Sequence, residues 1–119
     1  MTTFREKHTF DQRKNEATRI LTKYPDRIPV VVEIDRRSKL KLDRHKYLTP
    51  AELTCGQFIY VLRKRLKLAP EKSLFMFFRD NKLPPTSALM GELYKEYMDN
   101  DFFLTVTIAE ENTFGVNRN

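Results

Sequence analysis

Few residues in this chain have the type and spacing that chemistry needs. There is one cysteine, Cys55, and there are two histidines, His8 and His45. Cys55 shares a helical face with Phe58, Ile59, Leu62 and Leu66, and a cysteine buried on such a face is a small inert hydrophobe. The histidines lie in charged segments without companion ligands at metal spacing, so no metal site is expected. No nucleophile–base pair or carboxylate dyad can be assembled, so neither an enzyme nor a cofactor is expected. What remains is Gly115, one of three glycines. It sits in the patternless tail Thr113-Phe114-Gly115-Val116-Asn117-Arg118-Asn119, behind an alternating strand over 102–108. A flexible tail with a glycine near its end can present a carboxyl group for chemistry. Most termini are simply frayed, and the tail alone leaves both readings open.

The composition bounds what can position these residues. A chain of 119 residues suits one domain with a real core. Nine Phe and five Tyr supply bulky core material. A net charge of +6 favours anionic partners: nucleic acid, acidic headgroups or acidic peptide segments. A single cysteine forms no internal disulfide and fits a reducing compartment. With no apolar run long enough to span a bilayer and no signal peptide, the expectation is a soluble cytosolic protein.

In chain order, Thr3 and Glu6 have capping-box spacing for a short helix over 3–8, and Thr9 and Gln12 for a longer one over 10–23. On the second helix Phe10, Ala17, Leu21 and Tyr24 share a face, while Glu16 and Ile20 stack on a neighbouring one. Pro25 ends it. Residues 28–34 read as a strand covered on both faces. A basic turn leads to a second strand over 46–49. Thr54 and Gln57 form a third capping box for a helix over 55–67. A third, aromatic strand covers 74–78, a short helix with Leu89, Leu93 and Tyr97 inward covers 88–98, and the last strand covers 102–108. There Phe102, Leu104, Val106 and Ile108 share one face, and Phe103, Thr105 and Thr107 the other. A hairpin, a helix across the sheet and a returning central strand make an α+β ubiquitin-like β-grasp with a mixed four-stranded sheet. Its second face, carrying Val31 and Phe103, is too apolar for full exposure, and two additional N-terminal helices are its natural cover.

Several stretches carry a resemblance: Lys23-Tyr24-Pro25-Asp26-Arg27-Ile28-Pro29-Val30, Lys46-Tyr47-Leu48, Leu53-Thr54-Cys55-Gly56-Gln57-Phe58, Arg63-Lys64-Arg65, Leu83-Pro84-Pro85-Thr86-Ser87-Ala88, Met90-Gly91-Glu92-Leu93-Tyr94 and Asp101-Phe102-Phe103-Leu104. In these the chain resembles the autophagy ubiquitin-like modifiers, most closely their GABARAP branch. The resemblance implies an N-terminal helical extension over 1–26, a ubiquitin-like domain over 27–115 and a removable tail over 116–119. It implies that a processing cysteine protease cuts between Gly115 and Val116, with Phe114 as a recognised neighbour. Activating and conjugating enzymes then carry the Gly115 carboxyl to the amine of phosphatidylethanolamine. A side-chain-free glycine suits narrow enzyme channels, and a diacyl lipid gives stable attachment. The precursor is expected in the cytoplasm and the lipidated form on the autophagosome membrane, as a monomer.

The resemblance also implies a docking groove. Peptides of cargo receptors and adaptors with an aromatic-x-x-aliphatic core would add as a strand along 46–49. Glu16, Ile20, Pro29, Lys46, Leu48 and Phe103 would form the aromatic pocket. Tyr47, Thr49, Pro50, Leu53, Phe58 and Val61 would form the aliphatic pocket. Arg27, Lys46 and Arg65 would meet acidic flanks of the peptide. Thr49 departs from the apolar residue usual in the family, which makes the second pocket shallower or more polar. A further docking surface near Phe75 and Phe77 is left open.

Two other readings compete. A ubiquitin-like adaptor that is never conjugated would use the same groove without Gly115. A small basic RNA-binding domain would need aromatics on an open sheet face, which the N-terminal helices should cover, so the sequence argues against nucleic acid as a partner.

Overall fold

Three threonines mark where three of the four α-helices begin. The structure is a computed structural model and describes residues 3–110. In it, Thr3 caps α1 (Phe4–Lys7), Thr9 caps α2 (Phe10–Lys23) and Thr54 caps α3 (Cys55–Leu66). Each threonine Oγ1 accepts from the backbone N–H three residues on, at 3.1–3.2 Å, and the side chain there returns the bond. Satisfying these orphan donors stabilises each start by about 1 kcal/mol. The fourth helix, α4 (Met90–Tyr97), begins with Glu92 accepting the Leu89 N–H at 3.2 Å.

Among the described residues there are four strands: β1 (Arg27–Ile34), β2 (Lys46–Pro50), β3 (Leu74–Phe77) and β4 (Leu104–Glu110). They form one sheet in the order β2-β1-β4-β3. β1 pairs antiparallel with β2 and parallel with β4, and β3 pairs antiparallel with β4. This is the mixed β-grasp sheet expected from the element order, with the last strand at the centre. Among the described residues no helix is long and apolar enough to cross a membrane.

The sheet carries a core on each face. On one, Val30, Val32, Leu104, Val106 and Ile108 pack with Phe58 and Leu62 of α3 and Met90 and Leu93 of α4. On the other, Val31 and Phe103 are buried with Phe4 of α1 and Ala17 of α2, and Ile20 and Phe102 pack against them. The N-terminal helices thus cover the second apolar face, as its composition demanded.

Three sequence expectations need correction. Phe102 does not share the inner face with Leu104. It has φ of 70°, so strand alternation fails there and β4 starts at Leu104. Four hydrogen bonds hold this left-handed turn. The Phe102 and Asp99 N–H groups donate to Asp99 O and Phe103 O, both at 2.9 Å. Tyr94 Oη donates to Phe102 O at 2.7 Å, and the Phe103 N–H donates to Asp101 Oδ1 at 3.0 Å. Such over-determination sustains backbone strain. Second, Phe10 and Tyr24 do not face the core. Phe10 is 42% exposed, with Arg13 and Lys14 over its ring. Third, α4 begins at Met90, which is fully buried, later than the expected 88.

Candidate functional site

β2 is an edge strand, so one row of its backbone N–H and C=O groups has no sheet partner. Its register with β1 sorts its side chains. Lys46 and Leu48 stand opposite Val31 and Pro29, on the side of the N-terminal helices. Tyr47 and Thr49 stand opposite Val30 and Ile28, on the side of α3. The free edge therefore runs between the N-terminal helices on one face and α3 on the other.

Among the residues expected of the aromatic pocket, Lys46 pairs with Glu16, Leu48 stands opposite Pro29, and Ile20 packs against Phe103. Glu16 and Ile20 come down from α2, Pro29 and Leu48 from the hairpin, and Phe103 is only 1% exposed. Lys46 Nζ lies 2.8 Å from Glu16 Oε2. The same ammonium lies 5.5 Å from the centre of the Phe4 ring, a cation–π distance. Phe4 in turn meets Phe103 edge-on at 5.0 Å. Phe4 was not among the sequence candidates. Its one signal is that it is the apolar residue directly after the Thr3 cap in an otherwise polar segment.

A cleft continues from Lys46 between α1 and the 36–45 connection, with Glu33 in its wall. Burial raises the Glu33 carboxyl above the usual range, opposed by the Phe4 N–H that donates to its Oε2 at 3.3 Å. His45 Nδ1 donates to Val32 O at 2.8 Å, a structural bond that fixes the strand entry.

On the side of α3 a shallow recess is lined by Leu53 and Val61 of the aliphatic-pocket candidates, together with Thr54, Gln57, Tyr60 and Thr86. The Tyr47 and Phe58 rings meet edge-on at 5.5 Å. Phe58 and Thr49 are buried, Leu53 is half-buried, and Pro50 and Val61 are exposed, Val61 by 39%. Thr49 is only 4% exposed, and neither its Oγ1 nor Tyr47 Oη has a hydrogen-bond partner. Burial pushes the Tyr47 phenol up, and Arg65, outside hydrogen-bond geometry but nearby, counters this in part.

Of the flanking cations, Arg27 is exposed at the start of β1, while Arg65 Nη2 lies 3.2 Å from Asp43 Oδ2. Lys46 and Arg65 thus hold intramolecular carboxylates that an acidic peptide would have to displace. Cys55 is fully buried, and burial pushes its thiol up to about 11, which leaves it protonated and unreactive at neutral pH. Gly115, Phe114 and Val116 lie outside the described residues.

Comparison with known proteins adds to this geometry. The family model "Autophagy protein Atg8 ubiquitin like" matches residues 12–115. The chain is 53% identical over 113 residues to "Autophagy-related protein 8" of Coccidioides immitis (strain RS), covering 94% of this chain and 96% of that protein. The protein of that name from Emericella nidulans is also 53% identical, with 94% and 95% covered. Among solved structures, Trypanosoma brucei ATG8 superposes with a TM-score of 0.86 at 38% identity, covering 93% of this chain and 96% of that one.

Proposed function

The chain belongs to the Atg8 family and is a ubiquitin-like modifier of autophagy, and from that premise we propose that it is conjugated through Gly115 and docks partner peptides along β2. A cysteine protease cuts between Gly115 and Val116, with Phe114 as the neighbouring recognised side chain. An activating enzyme adenylates the Gly115 carboxylate with ATP, releasing pyrophosphate. An enzyme cysteine displaces AMP to give a thioester, and conjugating enzymes pass the acyl group by thioester exchange to the amine of phosphatidylethanolamine, releasing the last thiol. The chain is the substrate of these enzymes and not itself a catalyst. The precursor is cytoplasmic, and the lipidated form sits on the autophagosome membrane. The family match runs as far as Gly115, which supports treating 116–119 as a tail separate from the ubiquitin-like domain. Placement nearest the GABARAP branch rests on the sequence stretches alone.

The observation that carries the docking half is the free edge of β2, whose side chains alternate between the side of the N-terminal helices and the side of α3. A peptide strand can take its main-chain bonds there while an aromatic residue enters beside Leu48 and an aliphatic one beside Tyr47. Cargo receptors and adaptors with such motifs are the partners this geometry fits.

The test of conjugation is intact mass after incubation in cytosol from the protein's own source. The wild type should lose the mass of residues 116–119, and Gly115→Ala should not. The matured chain should then join phosphatidylethanolamine liposomes in the presence of the activating and conjugating enzymes. An uncut wild type, with a control substrate cleaved in the same extract, would leave docking as the whole function.

A further inference from the structure

We propose that the connection between β1 and β2 is the face this protein turns toward an anionic phospholipid surface once its C-terminus is tethered there, with Arg36, Lys39 and Lys41 meeting the acidic headgroups. The inference rests on the reading of Gly115 as the conjugation point. It adds which side the folded body presents and which lipid charge that side prefers.

Sheet topology puts the tail and this connection at one end of the molecule. β1 and β4 run parallel and finish side by side, with Ile34 opposite Ile108 and the Asp35 N–H donating to Ile108 O at 2.9 Å. β2 starts at the same end, where Lys46 stands opposite Val31 and the Val32 N–H donates to His45 O at 2.8 Å. The 35–45 connection therefore closes the end of the sheet at which β4 finishes with Glu110. Gly115 follows five residues later, and five residues span at most about 18 Å. A lipid joined at Gly115 thus holds this end of the sheet within reach of the headgroups.

Charge then selects the lipid. The connection carries five Lys and Arg residues, Arg36, Arg37, Lys39, Lys41 and Arg44, and two acids, Asp35 and Asp43. Both acids already have partners: Asp35 pairs with Arg37 at 3.0 Å and Asp43 with Arg65 at 3.2 Å. Arg36, Lys39, Lys41 and Arg44 are exposed and form no ion pair among the described residues. The acids Glu110 and Glu111, before the conjugation point, offset only part of this charge. The cations are also held in place. Leu42 is buried in the main core and Leu40 packs against it, so Lys39 and Lys41 alternate with anchored leucines and stay at the surface. The Ser38 N–H donates to Asp35 O at 2.9 Å and the Leu40 N–H to Ser38 Oγ at 3.2 Å. A segment fixed in this way loses little conformational freedom when headgroups bind it. Each Lys or Arg close to an anionic surface strengthens attachment about fivefold, and the tether supplies the local concentration at which such weak contacts count. An acidic peptide would find the same cations, but only the lipid is held at this end by a covalent bond.

The test ties the full chain to vesicles through a C-terminal hexahistidine and a nickel-chelating lipid, which replaces the conjugating enzymes. Kd is measured on neutral phosphatidylcholine vesicles and on vesicles with roughly one-third phosphatidylserine, at equal content of chelating lipid. The wild type should bind the phosphatidylserine vesicles at least about tenfold more tightly, and the gain should shrink as salt rises. Arg36→Gln/Lys39→Gln/Lys41→Gln should lose most of this gain. Lys14→Gln/Arg19→Gln/Lys23→Gln, which removes the same charge from the exposed side of α2, should keep it. Thermal melting checks that both variants retain the fold. No gain in the wild type, or equal losses in the two variants, would overturn the inference. So would a connection variant that loses affinity for an acidic peptide but none of the gain on vesicles, which would assign the cations to that partner. The tag makes the vesicle result independent of cleavage after Gly115, so a failure here leaves the conjugation reading intact, and failure of that reading shows in the mass assay alone.

Discussion

Arg13 Nε lies 2.8 Å from Asp101 Oδ2, and this part-buried pair ties α2 to the turn that delivers Phe103. Asp101 is 2% exposed, and its second oxygen accepts the Phe103 N–H. Arg13 Nη1 also donates to His8 O at 2.8 Å, which brings the α1–α2 junction into the same network. Arg5 reaches the neighbouring Asp99 at 3.1 Å. One polar clasp thus positions both N-terminal helices over Phe103.

Removing one partner leaves the other charge buried and unpaired. Asp101→Ala should therefore destabilise the protein by about 3–5 kcal/mol. Urea denaturation measures the loss. Hydrogen exchange should show α1 and α2 losing protection before the rest of the fold, because the second core face depends on them. Loss spread evenly over all strands would mean that the clasp holds the turn and not the helices.

The Glu16–Lys46 pair behaves differently because it is part-exposed. Such pairs contribute roughly 0–1 kcal/mol to stability, so Glu16→Gln should barely change the melting temperature. It frees the Lys46 ammonium, however. Peptides with acidic flanks should bind Glu16→Gln a few-fold more tightly at low salt, and the gain should shrink as salt rises. Calorimetric titration at two ionic strengths checks this. A weaker complex at both would show that Glu16 itself contacts the peptide.

What could be read from the sequence, and what could not, follows from the range of the interactions. The starts of α1, α2 and α3 were legible because each threonine cap is decided within four residues, as Thr54 and Gln57 illustrate. The two covered sheet faces were legible from the alternation of Val30 and Val32 against Val31. Phe102 was misplaced because its left-handed backbone is imposed by Asp99, Asp101 and Tyr94, and no periodicity rule contains those bonds. Phe10 was misplaced because helical period gives the direction of a face but not where the cover ends. Phe4 was missed because its burial depends on Phe103, ninety-nine positions away. The pocket residues came from family resemblance and not from periodicity or spacing. The unpaired state of the Thr49 hydroxyl needed three-dimensional placement to be seen.

Cys55 gives a pH prediction whose sign can be worked out. Burial raises its thiol from the ordinary 9.0 to about 11. The unfolded chain therefore loses this proton at lower pH than the folded one. The thiol's contribution is fully present below pH 9 and is lost as pH rises from 9 to about 11. Stability of the wild type should fall across that window by on the order of 2 kcal/mol more than that of Cys55→Ala, each measured against its own value at pH 7. Parallel curves for the two proteins would show that the Cys55 thiol plays no part in the decline.

Gly91 links the fold to the recess beside α3. Its N–H donates to Ala51 O at 2.9 Å, and the Met90 N–H donates to Leu53 O at 2.7 Å, so the start of α4 grips the segment that follows β2. A Cβ on Gly91 would lie 3.0 Å from Ala51 Cβ and 3.1 Å from Ala51 O. Alanine normally improves a helix by about 1 kcal/mol over glycine. Overpacking costs about 1–3 kcal/mol, and here the obstacle includes backbone, which yields less readily than a flexible side chain. Gly91→Ala should therefore be net destabilising by roughly 1 kcal/mol. Pushing residues 51–53 away from α4 also displaces Leu53 from the recess, so affinity for an aromatic-x-x-aliphatic peptide should drop several-fold while the melting curve stays cooperative. A Gly91→Ala protein that is more stable than wild type and binds equally well would show that α4 shifts without moving the wall of the pocket.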